Sequence, residues 1–354
     1  MRSAAPEIRG SASKFVMRAA IGLVFAALLV AGCSAAAPHR RAHAVALPPP
    51  AALALGWRTD FSRHSVPFDE IGSGGPGKDG IPALDHPRFA PADRIDFLRP
   101  REPVIELTVH GETRAYPLQI LIWHEIANDV IGGVPVAVTF CPLCDTAIAF
   151  DRRVNDRTLS FGTTGDLRNS DLVMYDRQTE SWWQQFGGEA IVGRYTGTRL
   201  RQLPARIVAW SAFERAHPRA LVLTRDTGFL RAYGQNPYAG YDDVSSPPFF
   251  PAAHSNDRRL PPKERVVFIE RGNDAAAIAF SALARRHRIA VTVGGHRLVV
   301  RFAPGVASAL DQAAVASGRD IGSAQVTENG KPVPFDEPFW FAVAAFRPHV
   351  HVIR

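Results

Sequence analysis

Three cysteines occur among 354 residues, and two of them stand three positions apart in Cys141-Pro142-Leu143-Cys144. Cysteines at this spacing can point both sulfurs into one small volume, an arrangement that suits a metal ion or a reversible disulfide. For thiol-disulfide chemistry the candidates are Cys141, Cys144, His124 and Arg177. A thiolate does that chemistry, so a neighbour must lower its pKa, and His124 or one of Arg152, Arg168 and Arg177 could serve. For metal binding the set is Cys141, Cys144 and His124, completed by Met174 or Asp145. Sulfur with imidazole favours copper or zinc. One cysteine pair excludes a closed four-cysteine site within the chain. A third reading is a structural disulfide in a non-enzymatic binding protein. His124-Glu125 is not the first half of a His-Glu-x-x-His zinc motif, because Asn128 stands where the second histidine would be.

The elements that must position these residues follow from hydrophobic period. Val136, Val138 and Phe140 alternate with small or polar residues, and Ile148 and Phe150 resume the alternation, so the cysteines occupy a strand-turn-strand. A thioredoxin-like motif opens a helix instead, and that fold is not expected. Pro103–Val109 also alternates as a strand, followed by a turn at Gly111-Glu112. A short helix is expected from Pro117, with Leu118, Leu121, Ile122 and Ile126 on one side and His124-Glu125 near its end. Residues 161–185 mix polar, glycine and aromatic residues without a period and read as a loop-rich site wall. Within them Arg168, Asp171, Asp176, Arg177 and Glu180 read as an ion-pair network, and Met174 and Trp182 as core. Gly72–Gly80 lacks the Gly-Lys-Ser/Thr ending of a phosphate loop and reads as a flexible surface turn.

The chain resembles itself at an offset of about 162 residues. Glu102-Pro-Val-Ile105 matches Glu264-Arg-Val-Val267, Gly132-Gly133 matches Gly294-Gly295, and Phe140-Cys-Pro142 matches Phe302-Ala-Pro304. Further on, Trp210 with Pro218 returns as Trp340 with Pro348 at an offset of 130, so the second copy is about 30 residues shorter after the hairpin. There Cys141 becomes Ala303, Cys144 becomes Val306, His124 becomes Arg286 and Asp129 becomes Val291, while apolar and glycine positions persist. What the copies share is scaffold, and what distinguishes the first is chemistry or binding. The expected architecture is a strand-rich α+β fold of two related halves.

The N-terminus reads as a targeting segment. Arg18 precedes an apolar run over 19–32 that ends in Val30-Ala31-Gly32-Cys33-Ser34, an ending similar to a bacterial lipobox. Residues 1–32 are expected to be a lipoprotein signal peptide, with Cys33 the lipidated residue. An Ala/Pro-rich tether follows over 33–60, then a first repeat over 61–250 and a second, shortened repeat over 251–354. Two or three acyl chains would hold the protein on a membrane. The expected location is the bacterial cell envelope, facing the periplasm or the surface, with Ser34 after the cysteine favouring the outer membrane. A periplasmic redox partner would fit the thiol reading. The first 32 residues carry four of the 41 basic and one of the 34 acidic residues, so the formal charge of +7 falls to +4 without them. No Lys/Arg cluster with interleaved aromatics is present, and nucleic acid is not an expected partner.

Gly80-Ile-Pro-Ala-Leu84, Ala115-Tyr-Pro-Leu118, His124-Glu125 with Asn128-Asp129, Thr139-Phe-Cys-Pro-Leu-Cys144, Met174-Tyr-Asp-Arg177, Glu180-Ser-Trp182 and Gly187–Gly193 occur in this order. Together they resemble the bacterial family known as domain of unknown function 3179, over roughly residues 60–354. The family has no settled activity. Selenoproteins are described among its members, so the resemblance implies a redox or metal role for the cysteine motif. Asp145 stands where glycine or asparagine is common in that family.

Overall fold

A computed structural model describes residues 50–354. Cys33 and the expected signal peptide lie outside them, as does most of the tether. The described chain is built mainly of short strands in small, mostly antiparallel sheets, and its longest helices have seven residues. None of these helices is long and apolar enough to cross a membrane.

In the first half, strand Pro103–Val109 pairs antiparallel with Glu112–Pro117, and with Ala205–Ala209 on its other side. Leu221–Leu223 extends this sheet by running parallel to Glu112–Pro117, with Leu221 opposite Arg114. The expected helix is one turn, Leu118–Leu121, opened by Pro117. It stops early because Glu125 takes a left-handed backbone (φ 58°) and sends the chain into strand Ile126–Ile131. Ile126 therefore belongs to a sheet, not to the helix.

That strand pairs with Val134–Cys141, which pairs in turn with Thr146–Asp151. Every residue of Thr146–Asp151 is buried, with Ile148 and Phe150 on one face and Ala147 and Ala149 on the other; burying each of the two large side chains is worth about 1.5–3 kcal/mol. Here the expected cysteine hairpin is found. Residues 161–185 are more regular than their composition suggests. Phe161–Arg168 and Asp171–Asp176 form a hairpin, and Trp182–Gln184 adds to it. Its two-residue turn is Asn169-Ser170, both with φ 56°, the primed geometry that matches strand twist.

The glycine-rich loop is pinned rather than free. Ile71–Ser73 pairs with Phe161–Arg168, Gly74 N–H donates to Gly165 O (2.8 Å), and Asp79 N–H donates to Thr163 O (2.9 Å). The approach is so close that a Cβ on Gly165, already at φ 84°, would lie 1.9 Å from Pro76 O.

In the second half, Val266–Arg271, Asp274–Ala279, helix Phe280–Arg286, Arg288–Val293 and His296–Ala303 follow in the same sense. Ser323–Glu328 pairs with His296–Ala303 where Thr146–Asp151 pairs with Val134–Cys141. His351–Ile353 runs parallel to Asp274–Ala279, with His351 opposite Ala276. The segment between Leu223 and Val266 has no helix or ladder strand and crosses from one half to the other, donating from Asn236 N–H to Ala313 O (2.8 Å) and accepting at Phe250 O from Ser170 Oγ (2.7 Å). Arg265, 6% exposed at its side chain, ties the halves more directly: Nε donates to Asp145 (2.8 Å) and Nη2 lies 3.6 Å from Glu337.

Candidate functional site

The cysteine turn is set by ladder register. Cys141 is the last residue of its strand and faces Thr146, which leaves Pro142–Asp145 to make the turn. Asp145 closes it in the left-handed region at φ 55°, the conformation in which glycine and asparagine are least strained. Its carboxylate is then held by Arg265. Both cysteines are free thiols and both are buried.

Asp171, the first residue after the Asn169-Ser170 turn, completes the site. Cys144 donates its thiol proton to Asp171 Oδ1 (2.9 Å) and accepts at Sγ from Thr146 Oγ1 (2.8 Å). The second carboxylate oxygen of Asp171 accepts from Gln184 Nε2 (2.5 Å) and Phe186 N–H (2.9 Å). One atom each from Cys141, Cys144 and Asp171 lies within 4.8 Å of the others. Gln185 braces the hairpin from behind, donating to Thr139 Oγ1 (2.9 Å) and Thr146 O (3.1 Å).

Burial is the largest influence on every acid here. It pushes the Cys141 thiol up and the Cys144 thiol well above the ordinary range, and raises Asp171 to about 6 despite hydrogen bonds from Cys144, Phe186, Gln184 and Cys141 that favour its anion. Glu125, whose carbonyl accepts from Phe140 N–H beside Cys141 (2.8 Å), is raised to about 8 by burial and by the charge of Asp171. Among the described residues, no arginine, lysine or histidine figures among the main influences on these groups.

A raised carboxyl has a definite pH signature. Neutral Glu125 costs nothing below its unfolded pKa near 4.5, and stability is lost as pH rises through about 8. Glu125→Gln is therefore expected to gain on the wild type as pH goes from 5 to 8.5, by a few kcal/mol at the upper end. Melting temperatures of the two proteins across that range test this; a constant gap would contradict it.

The other residues singled out by sequence fall elsewhere. His124 is buried beside Glu125 but turned away from the cysteine cluster: Nδ1 lies 2.7 Å from Pro82 O and Nε2 lies 2.7 Å from Tyr233 Oη. Burial also lowers its pKa. Arg177 donates to Phe161 O (2.6 Å) and pairs with Asp79 and Asp85. Arg152 spends its guanidinium on the carbonyls of Val136, Leu159 and Asp129, and Arg168 on Glu70. None of these side chains hydrogen-bonds a thiol; each is taken up by other oxygens. Met174 is buried in the same core cluster as both cysteines, but the side chain from its strand that bonds a cysteine is Asp171. The sequence reading assigns Asp171 to an ion-pair network with Arg168, Asp176, Arg177 and Glu180. The available signal is in the sequence comparison at an offset of 162, where Ala303 and Val306 stand in place of the cysteines and the later stretch, which in the first half carries Asp171, is shorter.

These features define a strand-rich protein with a buried cluster of two thiols and a carboxylate. The chain belongs to the family described as protein of unknown function (DUF3179), whose model matches residues 78–350. No curated protein and no solved structure matches it.

Proposed function

We propose that this is a metal-binding protein in which Cys141, Cys144 and Asp171 hold a zinc ion, with copper(I) the alternative occupant. The observation that carries this reading is the convergence of three ligand atoms within 4.8 Å in a buried place without a neighbouring cation. Zn–S bonds of about 2.3 Å put two thiolates roughly 3.8 Å apart around a tetrahedral ion, which the observed spread accommodates. A carboxylate in the set favours zinc over copper(I). Gln184, which orients Asp171, also leaves its own Oε1 buried and unpartnered, an acceptor that water on an open coordination position would satisfy.

Thiol-disulfide exchange by the same pair is the weaker reading, since a thiol pushed up by burial supplies little thiolate at neutral pH. Cobalt(II) titration separates the two. The metal reading expects intense thiolate-to-cobalt absorption that saturates at one equivalent and is lost in Cys141→Ala; a spectrum no different from free cobalt would contradict it.

We further propose that the protein is lipid-anchored in the bacterial envelope through Cys33; a Cys33→Ala chain that stays in the membrane fraction would contradict this. The two halves are proposed to be copies of one unit. Supporting this, strands Glu112–Pro117, Ile126–Ile131 and Val134–Cys141 recur 162 positions later as Asp274–Ala279, Arg288–Val293 and His296–Ala303. Halves that fail to superpose in an experimental structure would contradict it.

A further inference from the structure

Behind the cysteine turn lies a cavity of about 320 Å³, and Leu143 of that turn forms part of its wall. The other walls are apolar and aromatic, chiefly Ile81, Leu172, Tyr238, Phe249 and Phe250. Two carboxyl groups, Glu125 and Asp166, line it, and no lysine, arginine or histidine does. Glu125 is only 7% exposed, yet its carboxyl makes no hydrogen bond with any described residue and its oxygens are not sealed in protein. Glu125 is among the residues that line the cavity. A desolvated carboxyl without a donor is costly to leave unmatched.

We propose that this cavity binds a small organic cation, an ammonium group on an apolar body, with the ammonium on Glu125 and the body among the aromatic rings. The wall chemistry selects this class. Acidic walls disfavour an anion, and an ammonium both donates to the Glu125 carboxyl and favours release to solvent of the proton that burial keeps there, which a neutral ligand does not do. A bare hard metal ion would need six or more oxygens, which these apolar walls do not offer. Aromatic faces attract a desolvated cation as well as burying its hydrocarbon. Phe249, 66% exposed although it lines the cavity, stands at the mouth, where an entering ligand would cover it. The inference does not rest on the metal reading, because Glu125 is outside the three-ligand cluster.

The test is calorimetric titration of the full chain with benzylamine, benzyl alcohol and benzoate at pH 7, with zinc content measured on each sample so that a lost metal is told apart from a lost pocket. Benzylamine is expected to bind at least tenfold more tightly than the alcohol, and benzoate not at all. Glu125→Gln should abolish the preference for the amine over the alcohol. Phe249→Ala, with a melting curve to show that the chain is still folded although the ring packs on Tyr241 (centroids 4.3 Å apart), should weaken benzylamine about fivefold. Equal binding of amine and alcohol, no benzylamine binding at millimolar concentration, a Glu125→Gln protein that keeps the preference, or unchanged affinity in Phe249→Ala would each overturn the proposal.

Discussion

Arg265→Met is expected to lower stability by about 3–5 kcal/mol, a melting temperature lower by roughly 5–15 °C for a chain of this size. The guanidinium is nearly enclosed, and besides Asp145 and Glu337 it reaches the carbonyls of Ile321 and Gly322 (3.3 and 3.4 Å) and lies 4.4 Å from the ring centre of Phe280. Methionine replaces the packing but leaves two buried carboxyls without their cation. Burial already raises Asp145 to about 6 and Glu337 to about 7, with Arg265 the chief opposing influence on each. Raised carboxyls contribute stability that is complete below the unfolded pKa values near 4 and is lost as pH climbs through 6 to 7. Removing Arg265 deepens that loss, so the variant's deficit should be larger at pH 8 than at pH 5. Thermal melts at the two pH values check this; a shift below about 2 °C at pH 8 would contradict it.

The second large effect concerns the cluster itself. Cys144→Ala is expected to weaken zinc binding by roughly a hundred- to a thousandfold, the share of one ligand in a site worth on the order of 10 kcal/mol. Gln184→Leu, which leaves all three ligands but removes one of the two donors that hold the second Asp171 carboxylate oxygen, should cost about 10–100-fold. Because burial keeps both thiols protonated without metal, binding must expel two protons, and the apparent affinity of the wild type should rise with pH between 6 and 8. Competition against a colorimetric chelator measures all three. An affinity independent of pH, or a Gln184→Leu protein equal to wild type, would contradict the account.

How far the sequence discloses this arrangement depends on how local each cause is. The cysteine hairpin is legible because the period-two pattern of Val136, Val138 and Phe140 survives on both sides of the turn. The strand-rich character is legible for the same reason. The sequence pattern puts Glu125 and His124 on a helix, since apolar spacing alone does not reveal the left-handed residue that ends it after one turn; that reversal is what sends Glu125 to the cavity and His124 away. Asp171 is hidden because its function depends on a turn, Asn169-Ser170, whose flanking strands carry too many polar residues to show a period. Arg265 is hidden for a different reason. Its partners Asp145 and Glu337 are far away in sequence, and only the packing of the two halves brings the three together.

The most direct measurement is the metal content of the wild-type protein, purified in reductant without added metal and again after incubation with zinc or copper(I). The account predicts about one zinc ion per chain, retained through gel filtration and lost when Cys141 and Cys144 are both replaced by alanine. A protein that arrives metal-free, takes up neither ion, and forms a Cys141–Cys144 disulfide under mild oxidation would contradict it.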